Sequence, residues 1–92
     1  MRTFYLGFDP GKKGFCCILS VQPNVFYHYP LFEGQRLNPE LIEAIRHMGE
    51  ENAMAVVEQV HSMPGQGVAS TFSFGTSYGK IIGMLEALGI PY

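Results

Sequence analysis

Two acidic residues each close an apolar, strand-like run: Asp9 after Phe4-Tyr5-Leu6-Gly7-Phe8, and Glu58 after Ala53-Met54-Ala55-Val56-Val57. An ionised carboxylate at the end of a buried strand is costly unless something pairs with it, and a divalent cation is a usual partner. If the two runs are parallel neighbours in one sheet, both carboxylates emerge at the same edge. That is half of a nuclease-type metal centre. Each residue also has a plainer reading. Asp9 suits a turn-former that accepts hydrogen bonds from the amides of residues 11–14, and Glu58 suits a strand-end carboxylate facing solvent.

The surroundings of this pair offer further groups. Lys12 and Lys13 follow Asp9 in Asp9-Pro10-Gly11-Lys12-Lys13-Gly14, placed to attract a phosphate backbone or simply to solvate a turn. Gln59 either reaches a phosphate or caps its strand, and His61 is a single imidazole in a polar loop. Phe72 and Phe74 border a glycine-rich segment, where an exposed ring stacks on bases; at least one of the two is expected in the core. His28 and His47 have no constellation around them. No GxxxxGK[ST] loop is present, so a Walker-type nucleotide site is not supported.

Positioning these groups requires a small α/β fold. Residues 3–9 read as a strand, 9–14 as a turn fixed by Pro10 and two glycines, and 15–21 as an antiparallel return. A further turn at 22–24 leads to a strand at 25–29, completing a meander. Asn38 is the expected N-cap and Pro39 the first position of a helix whose apolar face is Leu41, Ile42, Ile45 and Met48. Residues 53–58 carry no charge before Glu58, as expected of an interior strand covered on both faces. Residues 61–71 read as a loop. A last helix starts between 70 and 73 and ends at Gly89, with Pro91 preventing its continuation. Gly75, Gly79 and Gly83 recur every four residues in that helix, at about 1 kcal/mol each. Close packing of the stripe against the sheet or another backbone would account for them, and so would a smooth face for nucleic acid or a partner helix.

Ninety-two residues suit one domain, 1–92, that buries only about 60–65% of its extended surface. A net charge of −2 gives no general case for nucleic-acid binding, so any favourable field has to be local. Cys16 and Cys17 are adjacent and point to opposite faces of a strand, which rules out an ordinary disulfide scaffold and suits reduced intracellular thiols. No cleavable apolar leader is visible, and no apolar run approaches the roughly 20 residues that span a bilayer. The expected location is cytoplasmic, away from any membrane.

Leu6-Gly7-Phe8-Asp9-Pro10-Gly11 resembles the first strand and turn of RuvC-like Holliday junction resolvases, and Val57-Glu58-Gln59-Val60 resembles the segment bearing their second catalytic carboxylate. The continuation from His61 to Ser70, with Phe72-Ser73-Phe74-Gly75 and Tyr78-Gly79, looks like phage or prophage members of that group. The resemblance implies a ribonuclease H-like fold: a mixed sheet in the order 3-2-1-4, with strand 2 antiparallel, and two helices. It also implies a magnesium- or manganese-dependent, dimeric endodeoxyribonuclease acting on branched DNA in recombination. Asp9 and Glu58 carry over as catalytic, metal-binding carboxylates. The residues themselves make Lys12, Lys13, Gln59, Ser62 and Phe72 the expected nucleic-acid contacts.

The family pattern then calls for further strands and a C-terminal helix with two more acidic residues, which are missing here. The chain is therefore expected to be a truncated relative, binding Mg²⁺ or Mn²⁺ weakly and inactive alone. The rival readings are a non-catalytic oligomerising module and an actin-like nucleotide-binding fragment, with phosphate held by the Gly11–Gly14 turn. A homo-oligomer is expected, with Ile81, Met84, Leu85 and Leu88 lining the contact and Gly79 and Gly83 allowing close approach.

Overall fold

The structure, a computed structural model, describes residues 3–11, 13–21, 24–58 and 67–92. Its elements run β1 (Thr3–Phe8), β2 (Phe15–Val21), β3 (Val25–Pro30), β4 (Phe32–Glu33), β5 (Arg36–Leu37), α1 (Pro39–Gly49), β6 (Asn52–Val57) and α2 (Val68–Leu88). The main sheet has the order β3-β2-β1-β6. β1 is antiparallel to β2 and parallel to β6, so the order and directions are those expected. The short pair β4–β5 is a hairpin within what reads as a polar connection, turning through Gly34 at φ 64°.

Strand alternation divides the sheet into two unlike faces. Phe4, Leu6 and Phe8 of β1, Cys16 and Ile18 of β2, and Ala53 and Ala55 of β6 are buried together with Leu41 and Ile45 of α1 and Ile81, Met84 and Leu85 of α2. Both helices therefore lie on the same face. The opposite face carries Tyr5, Phe15, Leu19, Phe26, Met54 and Val56, all exposed, and Val56 is 72% open to solvent. Among the described residues the expectation that 53–58 are covered on both faces is overturned: β6 lacks charge but has a layer on one side only.

α1 begins as its sequence predicts. The Asn38 side chain accepts from the Glu40 amide at 3.1 Å and donates to the Pro30 carbonyl at 3.0 Å, while its own amide donates to Leu31. A buried asparagine with its groups engaged on both sides ties the helix start to the end of β3, and a cap of this kind is worth about 1 kcal/mol. α2 starts at Val68, two residues before the earliest expected start, on Gly67, which provides no side-chain cap. It stops in a Schellman turn: Gly89 has φ 70°, its amide bonds the Glu86 carbonyl, and the Ile90 amide bonds that of Leu85. Ile90 and Leu85 are both buried, the apolar contact that accompanies this motif. Beyond it the Pro91 carbonyl accepts from the Ala55 amide of β6 at 2.9 Å.

Two expectations about α2 are reversed. Ile81 and Leu85 are fully buried and Met84 nearly so, with Leu88 packed against them, so these side chains build the core and do not line an interface. Gly75, Gly79 and Gly83 are exposed, and a Cβ placed on any of them would meet nothing within 4 Å. The stripe is open, and neither the sheet nor another backbone of the described residues packs on it.

Candidate metal centre

Asp9 and Glu58 come to one place because β1 and β6 run in parallel register, with Phe8 opposite Val57. The Glu58 amide continues the ladder to the Phe8 carbonyl at 3.3 Å. Each carboxylate is thus the first residue beyond its strand at the same end of adjacent strands. Both are exposed, and both line an open depression of about 420 Å³ whose remaining walls are Gly7, Phe8, Phe15, Cys17 and Val56. The site is a rim of two anions above an apolar floor.

The turn that follows β1 fixes Asp9 from below. Its amide donates to the Phe15 carbonyl at 3.0 Å, and its Oδ1 accepts from the Gly11 amide at 3.2 Å. Pro10 is fully buried, the Gly14 amide closes onto the Gly11 carbonyl at 2.9 Å, and the Gly14 carbonyl accepts from Leu31. A Cβ on Gly14 would fall about 2.1 Å from the Asp9 carbonyl oxygen, so this position accepts only glycine without a backbone shift. The turn-former role of Asp9 is therefore real, and among the described residues it uses one carboxylate oxygen, Oδ1.

Oxygen donors of this kind suit Mg²⁺ or Mn²⁺ chemically, but two carboxylates are few for an ion that keeps several waters. Among the described residues no group of three His, Cys, Asp or Glu side chains is placed to hold a metal. Lys13 is exposed on the turn. Lys12, Gln59 and Ser62 lie outside the described residues, as does His61. Cys17 lines the depression, whereas Cys16 is sealed in the core, where burial pushes its thiol up to about 12 from 9.0, with a smaller contribution from Cys17.

Phe72 is brought to a different place. It is 75% exposed on α2 and lines a groove of about 370 Å³ with Phe32, Gln35, Thr76 and Lys80. Lys80 Nζ donates to the Gln35 carbonyl at 2.6 Å and sits 5.8 Å from the Phe32 ring centroid. This groove escaped the sequence reading, because nothing in the spacing of Phe32, Gln35 and Lys80 joins a two-residue hairpin to a distant helix. Phe74 is half-buried, so neither phenylalanine is fully in the core. His28 stacks on Phe15 across β2 and β3, with ring centroids 4.5 Å apart, in a packing role.

Comparison of the chain with models of known protein families and with curated proteins finds no match. Among the described residues no helix is long and apolar enough to cross a membrane.

Proposed function

We propose that this chain is a ribonuclease H-like domain related to the RuvC-like Holliday junction resolvases, in which Asp9 and Glu58 are two carboxylates of a divalent-metal centre that acts on branched DNA. The observation that carries this reading is the parallel register of β1 and β6, which sets both acids side by side at one sheet edge. The antiparallel β2 and the β3-β2-β1-β6 order are compatible with that fold.

Asp9 Oδ2 and the Glu58 carboxylate would hold Mg²⁺ or Mn²⁺, which when bound polarises a phosphoryl oxygen and lowers the pKa of a bound water. The protein's own contribution is positional. The Asx turn holds Asp9 in one orientation, and the ladder bond holds Glu58 beside it. Lys13, exposed on the turn that carries Asp9, would add positive charge for an approaching phosphodiester. With two carboxylates the isolated chain binds metal weakly and turns over negligibly; further acids from another chain would complete the centre.

A titration with Mn²⁺ followed by NMR tests this reading. Paramagnetic broadening should centre on the Gly11 and Glu58 amides at millimolar metal and vanish in Asp9→Asn and Glu58→Gln. Uniform broadening over the surface, unchanged in the variants, would remove the metal site. A synthetic four-way junction with Mg²⁺ should not be cut by the purified chain. Cutting that disappears in Asp9→Asn would mean that copies of this chain complete the centre together.

The second reading, a non-catalytic oligomerising module that keeps the fold, is favoured by the open apolar face of the sheet. The actin-like nucleotide reading has less support. In the Gly11–Gly14 turn the Gly11 and Gly14 amides already donate within the turn and are not free to cradle a phosphate.

A further inference from the structure

β3 is a border strand, and among the described residues no strand pairs with its outer side. The Leu31 amide donates to the Gly14 carbonyl at 2.9 Å, one step beyond the Phe15–Pro30 pair of the β2–β3 register. Hydrogen-bonded pairs alternate in an antiparallel ladder, so Tyr29, Tyr27 and Val25 turn their backbone groups to β2. Phe26 and His28 turn theirs outward, and among the described residues no backbone group meets them. Pro30 ends this row, since it has no N–H and its carbonyl accepts from Asn38 Nδ2 at 3.0 Å. Beside the row, on the helix side, a groove of about 350 Å³ separates β3 from α1. Tyr27 and Tyr29 lie opposite the buried Ile18 and Cys16, yet Tyr27 is 39% exposed, because α1 stands off from the border. Phe4 and Met48 complete the apolar walls, and His47 and Glu51 stand at the rim. The helix and the turn after it carry Glu40, Glu43, Glu50 and Glu51 against Arg46. Arg46 and His47 both engage Glu43, at 3.2 and 3.4 Å, while the Glu51 carboxylate has no partner among the described residues.

We propose that this border docks an extended peptide of a partner protein, which adds a strand to β3 and sends one Arg or Lys side chain into the groove. In strand addition the backbone ladder supplies affinity, and pockets for alternate side chains supply specificity. Here the ladder groups are those of Phe26 and His28. The peptide residue between them lies opposite Tyr27, so its side chain points to the helix side and enters the groove. A long aliphatic stem covers the tyrosine rings and Met48, and its cationic head reaches Glu51. Charge decides the class of partner. A phosphodiester backbone is repelled by the same carboxylates that draw a cation. A second copy of β3 does not suit the groove either, since Val25–Pro30 contains no Lys or Arg. The inference does not depend on the metal reading.

The probe is an acetylated, amidated pentapeptide, Thr-Val-Arg-Val-Thr, whose β-branched residues favour an extended chain. Titrated to about 5 mM against the isotope-labelled protein, it should shift the Phe26 and His28 amides most, with a Kd of about 0.1–1 mM. Replacing its Arg by Glu should weaken binding at least ~10-fold, and so should N-methylation of either Val, whose N–H faces β3. N-methylation of the Arg, whose N–H points away from β3, should leave the Kd within about 3-fold. In the protein, Glu51→Arg at an exposed position should reverse the preference, so that the Glu peptide binds better than the Arg peptide. A misfolded variant does not produce such a reversal. Several results would each overturn the proposal: no shift at β3, equal binding of the Arg and Glu peptides, or indifference to N-methylation at Val. Concentration-dependent shifts of the Phe26 and His28 amides without peptide would also overturn it, by giving the border to a second copy.

Discussion

Replacing the three open glycines of α2 by alanine should stabilise the protein. Glycine in a helix interior costs about 1 kcal/mol relative to alanine, chiefly through backbone entropy, wherever the added methyl group meets no obstacle. At Gly75, Gly79 and Gly83 a Cβ would have no neighbour within 4 Å, and all three positions are exposed. The triple variant is therefore expected to gain about 3 kcal/mol if the sites act independently. For a domain of this size each kcal/mol raises Tm by about 4–8 °C, so the triple variant should melt roughly 12–24 °C above wild type. Thermal and urea unfolding followed by circular dichroism measure the gain, and sedimentation at the same concentration should show an unchanged mass. A loss of stability, or a triple variant whose association is altered, would mean that another backbone seats on the stripe and that the helix is not open to solvent.

Gly14→Ala should act in the opposite sense, losing about 2–3 kcal/mol, because its methyl group runs into the Asp9 carbonyl oxygen and the turn must open; the Gly11 amide resonance should shift with it. Leu85→Ala should cost about 3–4 kcal/mol in urea unfolding as a core truncation and should not weaken association. Alkaline pH should unfold the protein through Cys16. Its thiol is raised from 9.0 to about 12 in the fold, so the stability it confers is complete below pH 9 and falls away as the pH climbs toward 12, by about 4 kcal/mol in all. Cys16→Ala should flatten that part of the stability–pH curve, measured by urea midpoints between pH 8 and 11.

The sheet was largely legible because its strands are bounded by strong punctuation. Pro10, Gly11 and Gly14, and then Asn38-Pro39, mark turns and a helix start by local rules that tertiary context did not override. What the local pattern does not encode is which face of an element is covered. β1 alternates Phe4, Leu6 and Phe8 with Tyr5 and Gly7, apolar on both sides, and only the placement of the helices decides which set is buried. On α2 the same ambiguity concerned two faces of one helix. Ile81, Met84, Leu85 and Leu88 make one face, the glycines another, and periodicity alone does not say which meets the sheet. The β4–β5 hairpin has strands too short for any period. Of the candidate site, the juxtaposition of Asp9 and Glu58 followed from two strand ends. The Phe32–Lys80 groove joins residues from a hairpin and a helix nearly fifty positions apart, and no local signal links them.

The bond from the Ala55 amide to the Pro91 carbonyl has a consequence for aggregation. In β6 the amides of Ala53, Ala55 and Val57 point away from β1, so this border of the sheet offers donors to any extended peptide that drifts alongside. The middle donor is occupied by residue 91 of the same chain, a proline. Proline accepts but has no N–H to give back, so it does not relay the ladder outward at that point. A foreign strand would first have to peel away residues 90–92, and with them Ile90, from its buried seat beside Gly49. Residues 90–92 thus stand between this stretch of β6 and any strand growing along the hydrogen-bonding direction.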